Sequence, residues 1–352
     1  MEHIGLDLGA SHTHVVVIDS QAQTQRRTKV RTEELPHWLS RQPPSRVVME
    51  ACTQSPTIAR AALASQHQTV IIPGQLVRAL GVGARGIKTD DRDAEVLARA
   101  SVRNEQLPSV HLRSEQSTAM RELLTTRALL LESRKAIALS VKSWMRGQLM
   151  RLKGRATSKA FSDAVRAALL ARAEGLPSTI ELLLQTYDHL CDQIGKLEEQ
   201  VEQMAEHDAT CQLLMTVPGV GPRVSLAFRS HLDDPARFES SSKLASYLAL
   251  VPGENTTGGK IHRTGMIKAG PTYLKALLVQ SAWAAWRSRP NEPMVLWARA
   301  IADKRGRRIA IIALARKLSV VMWSMWKNGE KYDPFKAAKA RATSVSEVSS
   351  PS

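Results

Sequence analysis

Five acids in two settings open the chemistry of this chain. Asp90, Asp91 and Asp93 stand within Lys88-Thr89-Asp90-Asp91-Arg92-Asp93-Ala94, and upstream Asp7 and Glu50 each lie near the end of an apolar run. Asp90 and Asp93 have the spacing that puts two side chains on one face of a helix, whereas Asp91 turns elsewhere. Brought together, the four carboxylates of Asp7, Glu50, Asp90 and Asp93 repel one another unless a divalent cation lies between them. The chemistry such a set supports is metal-assisted phosphodiester transfer, with two magnesium ions stabilising the attacking and leaving oxygens. Each acid taken singly also suits a turn after a strand or a cap at a helix start.

The elements that must position these acids follow from local pattern. Residues 3–8 alternate, with Ile4, Leu6 and Leu8 on one face and His3, Gly5 and Asp7 on the other, as in a half-buried strand. Gly9 serves as a turn, and Val15-Val16-Val17-Ile18 reads as a partner strand buried on both faces. His12 and His14 share a strand face, where an exposed edge is the expectation over an added metal ligand. Further strands are expected at 28–32, 46–50 and 70–72, the last stopped by Pro73-Gly74, with helices at 54–66 and 89–103. Clustered strands followed by strand and helix in alternation indicate an α/β domain of about 100 residues.

At 352 residues the chain is long enough for two domains, and its 43% apolar content can fill sizeable cores. A formal charge of +16 exceeds what solubility needs and points to a polyanion, nucleic acid before an acidic membrane surface. No apolar run is expected to reach the roughly 18 to 20 residues of a membrane span, and residues 1–5 lack a signal-peptide pattern, so a soluble cytosolic protein without a membrane partner is expected. Cys52, Cys191 and Cys211 have neither even number nor metal-ligand spacing, which argues against a disulfide framework or zinc module.

Between 114 and 152 apolar residues recur at helical spacing beside a one-sided series of bases. Arg127, Arg134, Lys135, Lys142, Arg146 and Arg151 are expected to form a positive stripe that meets phosphates. Residues 179–205 carry Leu183, Tyr187, Leu190, Ile194, Leu197, Val201 and Met204 in a 4-3 repeat, a coiled-coil seam for the preceding helix or for a second copy of the chain. Farther on, Val217-Pro218-Gly219-Val220-Gly221-Pro222-Arg223 resembles the turn of a helix-hairpin-helix, where Gly219 and Gly221 would admit a phosphate to the backbone near Arg223. A loop with Thr256, Thr257, Lys260, Arg263 and Lys268 follows, then helices at 271–289 and 309–326 flanking a basic knot of Arg305, Arg307 and Arg308. The five tryptophans from 283 to 326 are expected in the core rather than as base-stacking platforms.

Gly5-Leu6-Asp7-Leu8-Gly9, Val48-Met49-Glu50-Ala51-Cys52 and Lys88 to Ala94 resemble, in order and spacing, the DEDD transposases of the insertion sequence 110 family. The resemblance implies an N-terminal α/β RNase H-like (RuvC-like) domain over 1–108, with Asp7, Glu50, Asp90 and Asp93 as its metal-binding tetrad. The basic helical and coiled-coil stretch forms an insert over 109–210, the resemblance further implies a C-terminal transposase domain over 211–335, and the small, polar composition of 336–352 indicates a disordered tail. In this family a serine before a glycine in the C-terminal loop acts as nucleophile; here the candidates are Thr256 and Thr257, whose extra methyl crowds an in-line attack. The implied activity is excision and insertion of a mobile element by a homo-oligomer, dimer or tetramer, acting on donor and target DNA. A structured guide (bridge) RNA and a bacterial, nucleoid-associated location follow from the same resemblance. The competing readings are a metal-dependent junction-resolving endonuclease using water and a non-catalytic nucleic-acid-binding protein.

Overall fold

The computed structural model of the chain describes residues 1–77, 90–152, 156–172, 175–257, 260–267 and 269–335, except the side chains of 90–91, 254–257 and 260–264. The chain divides into two compact units, Met1–Arg113 and Ser114–Ser352.

The first unit is a mixed sheet between helices. Its strands are β1 (His3–Leu8), β2 (His12–Ile18), β3 (Thr24–Arg31), β4 (Arg46–Glu50) and β5 (Gln68–Ile72), in the order β3-β2-β1-β4-β5. The first three strands pair antiparallel, and β4 and β5 add parallel to β1. Helices α1 (Leu35–Ser40), α2 (Ser55–Ala64), the short α3 (Gly74–Val77) and α4 (Asp90–Arg103) complete it. Ile4, Leu6, Val15, Val17, Val47 and Met49 pack against Leu35 and Leu39 of α1 and Ile58 and Ala62 of α2. On the opposite face Val16 and Ile18 meet Ala94 and Ala98 of α4, while Val48 and Ile72 meet Leu97. A strand's period of two thus sorts even and odd positions of β1 onto different helices. The strand expected at 28–32 is longer and begins at Thr24, and α1 was not anticipated.

The second unit is mostly helical: α5 (Glu115–Gly147), α6 (Ala160–Leu170), α7 (Ser178–His207), α8 (Ala209–Met215), α9 (Pro222–Leu232), α10 (Ser241–Tyr247), the hairpin strands β6 (Pro252–Thr257) and β7 (Lys260–Met266), α11 (Thr272–Ser288), α12 (Pro293–Arg305) and α13 (Arg307–Asn328). Helix α5 is capped by the Ser114 side chain, which accepts from the Ser117 amide at 3.1 Å, and meets no glycine before Gly147. The insert expected over 109–210 does not form a core of its own throughout. Met120 and Leu124 of α5 and Val201 and Ala205 of α7 join Leu214, Phe228, Leu274, Leu278, Leu314 and Leu318 in one core. Only the far ends of α5 and α7, with α6, make a separate cluster around Val141, Phe161 and Tyr187.

The seam of α7 departs from its expected register. The buried positions are Ile180, Leu184, Tyr187, Ile194, Val201 and Ala205, whereas Leu183, Leu190, Leu197 and Met204 are only half-buried. Helix α5 packs along α7 within the chain, so the stripe is set by the neighbouring helix and admits Cys191 and Glu198 at the intervening positions. Helix α13, 22 residues long, contains an 18-residue stretch of mean hydropathy 1.5, as a membrane span would need, the one such helix among the described residues. Arg316 and Lys317 interrupt its apolar surface, and Ala310, Ile311, Leu314, Leu318 and Met322 are buried in the core.

Candidate functional site

Three of the four sequence-predicted acids fall on one face of the first unit. Gly5 fixes the geometry: a Cβ there would sit 2.0 Å from the Ala94 carbonyl oxygen and 2.7 Å from the Ala98 amide nitrogen, so α4 lies directly on β1. His3, on the same face, has its Nδ1 2.8 Å from Ser101 Oγ. From His3 to Gly5 the strand advances by about 7 Å, close to one turn of helix, and one further step of each brings Asp7 level with Asp93. The parallel register joins Leu6 to Met49, so Asp7 and Glu50, one position on, are neighbours at the carboxyl ends of β1 and β4. Glu50 shares the α4 face with Val48, and its Oε1 lies 2.7 Å from where a Cβ on Gly74 would stand, so the glycine at the start of α3 makes room for the carboxylate.

Asp93 is 5% exposed and has no hydrogen-bond partner among the described residues. A carboxylate buried without a donor is costly as an anion unless a cation compensates it. Carboxylate oxygens such as those of Asp93, Asp7 and Glu50 are of the hard type that magnesium takes alongside retained waters. Asp90 begins α4 on the turn preceding Asp93, with its side chain outside the described residues. Among the described residues alone, no three His, Cys, Asp or Glu side chains converge on a single ion.

His14 differs from expectation. Strand β2 lies inside the sheet, and His14 pairs directly with Asp7 across the ladder, half-buried on the α4 face with Val16 and Ile18. Only His12 is exposed. The signal was present in the sequence: once Gly9 to Ser11 is read as the turn of a hairpin, antiparallel pairing carries Asp7 opposite His14.

The remaining predicted residues scatter over the second unit. Thr256 and Thr257 end β6, paired with Ile261 and Lys260 in a hairpin rather than an irregular loop. Their side chains, with those of Lys260 and Arg263, and all of Lys268, lie outside the described residues. Gly219 has φ +83, and a Cβ there would come within 2.5 Å of the Ser281 carbonyl oxygen. Its close approach is therefore to α11 and not to a phosphate, whereas Gly221 faces open space. The positive stripe of α5 is also broken. Arg127 is 5% exposed and donates to Glu198 of α7, Arg134 reaches Cys191 Sγ at 3.8 Å, and Lys142 sits over the Phe161 ring. Lys135 pairs with Glu132 at the surface, while Arg146, Arg151, Arg305, Arg307 and Arg308 are exposed. Trp323 is buried and donates to the Pro235 carbonyl at 2.8 Å, and Trp283, Trp286 and Trp326 pack on the core, leaving Trp297 at the surface beneath Lys317.

Known proteins place these features in a family. A DEDD-type transposase profile named for IS110 matches residues 4–149, and the profile described as Transposase IS116/IS110/IS902 family matches residues 211–294. A probable family 20 transposase of Pseudomonas aeruginosa is 28% identical over 342 residues, spanning 95% of this chain and 99% of its own length. The transposase for insertion sequence element IS1328 of Yersinia enterocolitica is 28% identical over 335 residues, 93% and 97% of the two chains. That for IS1111A of Coxiella burnetii is 28% identical over 293 residues, 81% and 79%. With Asp7, Glu50, Asp90 and Asp93 all inside the first matched segment and Thr256 and Thr257 inside the second, the chain belongs to the IS116/IS110/IS902 family of transposases.

Proposed function

We propose that the protein is the transposase of an insertion sequence, cleaving and rejoining donor and target DNA through an RNase H-like acid site and a threonine hydroxyl. The observation that carries the reading is the sharing of the α4 face by Asp7, Glu50 and a buried Asp93 that has no hydrogen-bond partner among the described residues. Asp7, Glu50, Asp90 and Asp93 would hold magnesium, which when bound supplies charge neutralisation for the oxygens entering and leaving phosphorus. Glu50 is seated by Gly74, and the packing of Gly5 on Ala94 holds Asp93 at the level of Asp7.

In the covalent step the hydroxyl oxygen of Thr256 or Thr257 forms a bond to phosphorus. The bond from phosphorus to the departing strand's oxygen breaks, the hydroxyl proton passes to solvent, and the departing oxygen takes up a proton. The result is a phosphothreonine ester that a free DNA hydroxyl reverses at the new junction. The formal charge of +16 supports long contacts with nucleic acid. A guide RNA, assembly into an oligomer and a cytoplasmic, nucleoid-associated location belong to the same proposal through the family resemblance.

Incubation of the protein with labelled element-end DNA and magnesium, followed by denaturing gel, tests the reading. A protein-linked adduct lost in Thr256→Ala or in Thr257→Ala, but not in both, assigns the nucleophile. Strand hydrolysis without an adduct would replace it with a water-using junction nuclease, and binding without cleavage would leave a non-catalytic binder.

A further inference from the structure

The second unit contains a cavity of about 560 Å³ where α5, α7, the segment before α6 and the first turn of α9 meet. Arg127, Arg134, Lys159 and Arg223 line it, against only Asp192 and Glu198 as acids. Glu198 accepts from Arg127, and Asp192 holds Lys159 at 2.7 Å. Neither Arg134 nor Arg223 has a carboxylate partner among the described residues. Moreover the Nε groups of Arg127 and Arg223 are buried with no acceptor among the described residues, and Arg127 as a whole is 95% removed from solvent, at 5% exposure. A donor left in this state marks a missing acceptor, because buried N–H groups are otherwise paired. Arg223 also stands at the amino end of α9, where free backbone amides and the helix dipole favour an anion.

We infer that this cavity is a phosphodiester-binding site, in which Arg134 and Arg223 grip a backbone phosphate while Arg127 and its Glu198 partner brace α5 on α7. The inference deepens the transposase reading and rests on it for the identity of the ligand as nucleic acid. It joins two features that are separate in the sequence, the basic helix and the glycine turn, because α9 packs against both α5 and α7. Guanidinium groups suit the role through paired, planar donors to phosphate oxygens.

The test measures binding of duplex DNA and of an RNA hairpin across a salt series, with EDTA present so that cleavage and adduct formation play no part. For Arg134→Gln/Arg223→Gln the expected result is a loss of affinity of roughly tenfold or more. The slope of log affinity against log salt should shrink by about 1.8 on duplex DNA, or about 1.4 on single-stranded segments, for two phosphate contacts. A change on DNA alone assigns the phosphate to DNA, on RNA alone to RNA, and on both to either strand. Arg134→Lys/Arg223→Lys, which keeps charge and length, should regain most of the slope; a slope no better than that of the glutamine pair overturns the proposal. So does an unaltered slope in the glutamine pair, or an equal loss in Lys29→Gln/Lys243→Gln, two exposed lysines that do not line the cavity. Failure of the adduct experiment would sink the covalent mechanism and leave this measurement intact.

Discussion

The two units concentrate charge in opposite senses and by different architecture. In the first, Asp7 and Glu50 end neighbouring strands of a five-stranded sheet, and Asp93 lies on α4, which a glycine-to-helix contact seals against that face. In the second, Arg127, Arg134 and Arg223 gather where three helices cross, each contributed by a long side chain. Short carboxylates need a rigid platform, because their reach is small and a metal tolerates little misplacement. Long guanidinium arms tolerate a looser one, and part of their cost is offset internally by Glu198. On the proposed readings each cluster would be completed by a ligand of the other sign, a cation in one and a phosphate in the other.

The sharpest way to break the comparison is to remove one acid. Asp93→Asn should lower strand cleavage at least about a hundredfold while leaving DNA affinity within a few fold. Cleavage at the parent rate, read on the same labelled substrate, would remove Asp93 from the site. Next comes the platform. Gly5→Ala drives a Cβ into the Ala94 carbonyl and should cost about 1–3 kcal/mol, lowering the melting temperature by roughly 2–12 °C, with cleavage falling as α4 is displaced.

In the second unit the two turn glycines should part company. Gly219→Ala meets a positive φ and the Ser281 carbonyl, so a loss of roughly 1–3 kcal/mol is expected by denaturant titration. Gly221→Ala, in extended backbone with open space around it, should fall within about 0.5 kcal/mol of the parent. Equal costs at both positions would mean that the turn does not pack on α11 as described. Glu198→Gln leaves the Arg127 charge buried without its partner. Because the Glu198 side chain is half exposed, about 1 kcal/mol is the expected loss, and added sulfate should restore part of the melting temperature.

The smallest effect concerns pH. Burial first, then the Arg46 charge, holds the His3 imidazole below its ordinary pKa of 6.5. The unfolded chain therefore takes up a proton that the folded one refuses, so this contribution to stability is complete above pH 6.5 and is lost as pH falls below it. His3→Asn should flatten the melting profile between pH 7 and 5; an unchanged slope would remove His3 as its source.

Much of the first unit was legible beforehand. The alternation of His3 to Leu8, the stop at Pro73-Gly74 and the acid spacing at the start of α4 all act between residues a few positions apart, and the strands and helix appear where the pattern puts them. Arg127 shows the opposite case. Its place in a row of bases pointed to solvent and phosphate, but the facing helix offers Glu198 at its level and buries the arginine. His14 was legible only through pairing, since its distance from Asp7 in sequence says nothing until the hairpin is closed.

The sequence by itself determined the period of each element, the turn that ends it and the residue types able to hold a metal or meet a phosphate, because these depend on bonds and contacts within a few residues. Only the tertiary structure decided which face of α7 is buried, that Gly219 serves helix packing, that Asp93 is buried and that three arginines share one cavity. Those outcomes depend on what stands across from each side chain, and burial and charge pairing are properties of that opposing surface.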